Sequence, residues 1–194
     1  ARKINPWYEL KDGFKYLQSN KLLLNAMLQL AVFSSTIAAL PILAINLTTK
    51  VGLEPKQFGF LVAAAGIGLV FGAGFLGHFG SRLQQKSLPL MGFIGMSLVL
   101  AIFAFVHNIW IGLLCGGVLG LGASLVAVPT QTLVQEKTPE SLRGKVFGFQ
   151  NNVVNIAVSL PLVIIAPLTD RFGLQPVLWG MSMIVTIAGI LTWR

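Results

Sequence analysis

Three apolar segments of this chain carry uncharged hydrogen-bonding side chains on narrow faces. Asn25, Gln29 and Thr36 fall within about 40° of one another at about 100° per residue. Gly117, Gly120, Ser124, Gln131 and Gln135 form a second narrow stripe. Asn151, Asn152, Asn155 and Ser159 cover about 100° on a third, with Gln150 pointing elsewhere. Amides and hydroxyls bind without carrying charge, so two chemistries are open. They line a water-filled path for a solute, or they bond helix to helix. For a single residue the helix-to-helix bond is the better reading, and for three stripes together the path is favoured.

Covalent chemistry finds no support. The six Asp and Glu residues lie in loops or tails. The two histidines, His78 and His107, stand 29 positions apart near segment ends, with no carboxylate at ligand spacing. The single cysteine, Cys115, sits in a glycine-rich apolar run, which excludes an intrachain disulfide and argues against a cysteine metal site. No catalytic residue, metal site or cofactor is expected. Proton or ion relays need a charged group inside the membrane, and these segments carry none.

The elements that position the stripes follow from the charges. Only 10% of residues are charged, against about a quarter in an ordinary soluble domain. Mean hydropathy is +0.78. No charge falls in 22–49, 57–81, 87–135, 146–169 or 172–193. A membrane helix takes roughly 20 apolar residues, so 87–135 holds two spans and each other stretch holds one. The expected fold is an all-α membrane protein, a bundle of six transmembrane helices over 22–194. Its spans are about 22–47, 58–79, 88–107, 109–135, 146–169 and 176–194. Spans one, four and five should face a cavity or a partner, with spans three and six facing lipid.

Residues 1–21 are basic. Leu10, Phe14 and Leu17 recur at helical spacing among Lys11, Lys15 and Lys21, as in an amphipathic linker helix on the membrane surface. The chain begins at Ala1 without a Met, which points to a fragment. The net charge of +8 does not imply a nucleic-acid partner, because the basic residues flank apolar runs. Eleven of the fourteen Lys and Arg residues lie in 1–21, 80–87, 136–145 and the C-terminus. The positive-inside rule then puts both termini in the cytoplasm, as an even number of spans requires.

Glycine marks the expected close contacts. Gly66, Gly68, Gly72, Gly74 and Gly77 crowd the second span, and Gly112, Gly116 and Gly120 recur every four residues in the fourth. Small residues at this spacing let helix backbones approach.

Several local runs carry a family resemblance. Gly77-His78-Phe79-Gly80-Ser81-Arg82-Leu83-Gln84-Gln85-Lys86 resembles the loop motif G-x-x-x-D-R/K-x-G-x-R-K of the major facilitator superfamily. Gly77, Arg82 and Lys86 keep the pattern, while Ser81 replaces Asp and Gln84 replaces Gly. Pro129 and the run Arg143-Gly144-Lys145-Val146 are similar to the tenth-to-eleventh loop of the drug- and siderophore-exporting branch. Asp12 to Leu17 is similar to that branch's linker helix, and Gln150-Asn151 resembles the lysophospholipid-transporter branch.

The degraded loop copy implies the C-terminal half, so the six spans would be the seventh to twelfth of a full transporter. The resemblance implies alternating access around a midplane site. The solute would be small and amphipathic, and export is the implied direction. Partners would be the lipid bilayer and an N-terminal six-helix half, in the same chain or a second subunit. The location would be a bacterial inner membrane. Arg82, Lys86, Arg143 and Lys145 become candidates for a cytoplasmic gate or for lipid headgroup contacts, though Ser81 lacks the motif's acid. A non-transporting membrane scaffold built on the same bundle is the alternative.

Overall fold

The computed structural model describes residues 20–50, 54–80 and 87–192. Residues 1–19 of the proposed linker helix over 1–21 lie outside the described residues, as do Ser81, Arg82 and Lys86. The described residues form six long α-helices and contain no strand. These are α1 (Lys21–Lys50), α2 (Gly59–Phe79), α3 (Leu88–Phe103), α4 (Ile109–Lys137), α5 (Arg143–Phe172) and α6 (Leu174–Leu191). All but α3 are long and apolar enough to cross a membrane.

Local chemistry sets the helix ends. The Asn20 side chain accepts a hydrogen bond from the Leu23 amide at 3.4 Å and caps α1. Asn108 does the same for α4, accepting from Trp110 N at 2.8 Å. The α3 helix spans only about 24 Å at 1.5 Å per residue. Its chain continues in tighter turns, where Ala104, Phe105 and Val106 each donate to the carbonyl three residues back. The apolar run is thus of membrane length while the α-helix proper is short.

The expected charged loop at 136–145 is mostly helix. The α4 helix runs to Lys137, a 3-10 turn covers Glu140–Leu142, and α5 begins at Arg143. Arg143, Gly144 and Lys145 therefore occupy the first turn of α5 rather than a loop. Prolines 41, 129, 161 and 167 lie inside helices and interrupt none of them.

The helices pack in two rows. One row runs α2, α4, α1, α5, and α3 and α6 lie behind it, with α3 against both α4 and α6. The largest buried cluster centres on Phe93, Met96, Leu100, Leu119, Val126 and Leu178. A smaller one, with Leu23, Met27, Leu30, Val134 and Val146, joins α1, α4 and α5 at the end where α1 begins.

Contact between α2 and α4 is made by backbone. A Cβ at Gly68 would strike the Gly117 carbonyl, and one at Gly120 would strike the Ala65 carbonyl and come within 2.7 Å of Leu69 N. Gly66, Gly74 and Gly77 have nothing within 4 Å, so only part of the α2 glycine set serves this contact.

The α5–α6 turn is a single residue, Gly173, with φ +84 and ψ 166. That backbone region is essentially closed to residues with a Cβ. Gly173→Ala should destabilise the bundle by about 1–3 kcal/mol, read as a lower thermal unfolding midpoint in detergent. Gly95→Ala, where the added methyl meets open space inside α3, serves as the control and should leave the midpoint unchanged or slightly raised.

Candidate functional site

The polar residues of the bundle sort into two sets by what they touch. The first set is committed to holding helices together. Gln29 on α1 donates from Nε2 to the carbonyl oxygen and hydroxyl of Thr192, at 3.2 and 3.3 Å. Its Oε1 accepts from the Thr130 hydroxyl of α4 at 3.1 Å. One amide thus ties α1, α4 and the end of α6.

Next to it on α4, Gln131 Oε1 accepts from Gln150 Nε2 of α5 at 2.7 Å. The Gln150 Oε1 is buried with no hydrogen-bond partner. Gln29, Thr130, Gln131 and Gln150 lie about 9–12 Å in from the nearer ends of their helices. They form one polar layer. The angular reading put Gln150 off the polar face of α5, and the structure pairs it with the α4 stripe.

Ser124 does not face an open path. It is fully buried, its hydroxyl donates to the Leu121 carbonyl at 2.7 Å, and it fills the space left by Gly72 of α2. A hydroxyl bonded to its own helix presents little polarity outward. Thr36 is also buried and donates to Val32 O at 2.8 Å. Asn25, half-buried on α1, engages a partner.

A further polar contact joins the two helices that carry no polar stripe. Ser97 of α3 and Ser182 of α6 each donate to the other's carbonyl oxygen, at 3.0 and 2.9 Å. The Thr186 hydroxyl completes this buried cluster. One hydroxyl on α3 and two on α6 make too short a stripe to stand out in the sequence.

The second set is uncovered. Asn151, Asn152, Asn155 and Ser159 of α5 are exposed, as are Gly144 and Gly148 on the same face. At the other end of the row, Gly59, Ala63, Gly66, Gly74 and Gly77, with Val70 among them, make an exposed face of mostly small residues on α2. Spacings of three and four keep those six residues on one side of the helix. The α5 face is polar enough to be costly against lipid. The α2 face is open to close approach by another helix.

The basic residues that the structure describes are modest. Arg143 lies 3.6 Å from Glu140, one turn earlier, with both side chains solvent-facing. A pair so exposed contributes little to stability. Lys145 is half-buried and engages a partner, and Gly77 and Gly144 have open space around them. Among the described residues no group of His, Cys, Asp or Glu is arranged to hold a metal.

The family model described as Major Facilitator Superfamily matches residues 22–194. The chain is similar to the multidrug efflux pump Tap of Mycolicibacterium fortuitum, 23% identical over 137 residues. That match takes in 71% of this chain and 34% of Tap. The enterobactin exporter EntS of Shigella flexneri is 27% identical over 161 residues, covering 82% of this chain and 38% of EntS. EntS of Salmonella typhi is 26% identical, with 82% and 39% covered. The chain spans about a third of the length of these relatives. No solved structure matches it.

The two polar sets predict different responses. Gln29→Leu strips Thr130 and Thr192 of a partner and should cost about 1–2 kcal/mol of stability in detergent. Asn155→Leu removes an exposed amide and should change stability by less than about 0.5 kcal/mol. Chemical denaturation of both variants, followed by circular dichroism, checks the contrast.

Proposed function

The chain belongs to the Major Facilitator Superfamily, and from that premise we propose that it is the C-terminal six-helix half of a secondary active transporter. In this reading α1 to α6 all span the bilayer, with α3 completed by its tighter final turns. Both termini lie in the cytoplasm, and the membrane is a bacterial inner membrane. The partner is an N-terminal half of six helices, in the same polypeptide or a second subunit. The protein moves a small amphipathic solute outward by alternating access, in keeping with its similarity to an efflux pump, Tap, and an exporter, EntS.

One observation carries the proposal. The faces of α5 and α2 left uncovered are a polar amide stripe and a small-residue stripe, at opposite ends of one helix row. A helix facing lipid gains nothing from either. Two such faces suit a second bundle docked along that row, with water and solute between the halves. Asn151, Asn152 and Asn155 then line the solute path from α5, and Asn25 is the candidate from α1. Gln29, Gln131, Thr36 and Ser124 support the path by fixing the helices that border it. Arg143 and Lys145 stand at the cytoplasmic end of α5 as gate or headgroup contacts, a role that the loop motif also suggests for Arg82 and Lys86.

The full-length protein reconstituted in vesicles should move an amphipathic drug probe or enterobactin. Asn155→Leu should cut that flux by about tenfold, equivalent to about 1.4 kcal/mol in the transport barrier. Gly74→Leu should also lower it by blocking approach of the other half. Flux unaffected by both changes in well-folded protein would sink the path assignment. Absence of flux with stable co-purification in a larger complex would favour a scaffold.

A further inference from the structure

Although α5 and α6 are joined through one residue, they pack against each other only sparsely along their length. Between them, and floored by α1, lies a cavity of about 380 Å³. Ile164, Leu168 and Phe172 line it from α5, and Pro176, Gly180 and Ile184 line it from α6. Its deep end meets Val32, Ser35 and Thr36 of α1, where the Thr36 hydroxyl is spent on Val32 O. No charged residue lines it. Leu168, Phe172 and Ile184 are exposed large apolar side chains, so the cavity is a groove open to the outside of the bundle.

Three features say what fills it. The lining positions Leu160, Ile164 and Leu168 lie on roughly the opposite side of α5 from Asn151, Asn155 and Ser159 at about 100° per residue. The groove therefore turns away from the polar face, towards lipid. Its lining on α5 runs from Phe172 to Leu160, about 18 Å at 1.5 Å per residue. One leaflet of hydrocarbon is about 15 Å deep, half of the bilayer core. At the mouth, the Arg171 guanidinium sits 5.5 Å from the centre of the Phe172 ring, which itself lines the groove.

We propose that the α5–α6 groove holds one acyl chain of a membrane phospholipid, with the lipid phosphate hydrogen-bonded by Arg171. The chain replaces helix–helix contact that α5 and α6 do not make. Asp170 adds a negative charge at the same end, so the contact with phosphate comes from the directed donors of the guanidinium rather than from net charge. The site requires only that α5 and α6 cross the bilayer. Its assignment to the outer leaflet rests on the orientation proposed above.

Native mass spectrometry of the full-length protein tests this, with phosphatidylglycerol and diacylglycerol of the same chains titrated into mild detergent. Gly180 lines the groove and has nothing within 4 Å of an added Cβ, so Gly180→Phe projects a ring into the groove. It should remove one tightly retained phosphatidylglycerol, while Gly95→Phe on α3, also in open space, retains it. Arg171→Gln should weaken phosphatidylglycerol about fivefold and leave diacylglycerol unchanged. Equal lipid retention by folded Gly180→Phe and wild type overturns the site. So does retained lipid with solute flux lost, which would assign the groove to the transported solute. The lipid count needs no flux, so a protein that transports nothing can still pass or fail it.

Discussion

Backbone approach between α2 and α4 is the constraint on which the bundle depends. In lipid, apolar side chains gain nothing by leaving one hydrocarbon for another, so helices are held by close packing and by hydrogen bonds. Here Gly68 meets Gly117, Gly120 meets Ala65, and Gly72 leaves space for Ser124. Each contact needs the absence of a Cβ on one side. With α2 fixed on α4 in this way, its opposite face has no neighbour within the bundle. Gly66, Gly74 and Gly77 are left with open space in front of them.

Hydrogen bonds do the same work elsewhere, and each uses a polar group that would be costly alone in hydrocarbon. The Ser97–Ser182 exchange fastens α3 to α6, with Gln175 of α6 donating to the Ala104 carbonyl at 3.0 Å near the end of α3. Gln29 fastens α1 to α4 and α6, and Gln150 fastens α5 to α4. The α5–α6 pair has neither a glycine seam nor a hydrogen bond among the described contacts, and this is where the groove opens.

The gaps between charges were enough to place six apolar segments, because burying a charge in hydrocarbon costs more than any local preference returns. Helix ends were less legible. At Arg143 the helix starts before the charge gap does, since a side chain at a helix terminus can reach water while its backbone is already helical. The polar stripes were legible as faces but not as destinations. An angle says that Gln29 and Asn155 each lie on a polar face of their helix, and it does not say which neighbour that face meets. Gln29 meets Thr130 and Thr192, whereas Asn155 is exposed. Only the packing order separates the two: α1 lies between α4 and α5 in the row, whereas α5 ends it.

That separation has a mechanical consequence. If the polar layer of Gln29, Thr130, Gln131 and Gln150 stays bonded, α1, α4 and α5 must move as one body at that depth. Such a layer suits the rocking proposed above, because a helix that slid within its own half would dissipate that motion. The unpartnered Gln150 Oε1 is then the place where the layer is incomplete. A buried carbonyl oxygen without a donor costs about 1–3 kcal/mol, which any hydrogen-bond donor reaching it would recover. The layer therefore combines a stiff support with one unmet hydrogen bond, next to the α5 face that carries Asn151, Asn152 and Asn155.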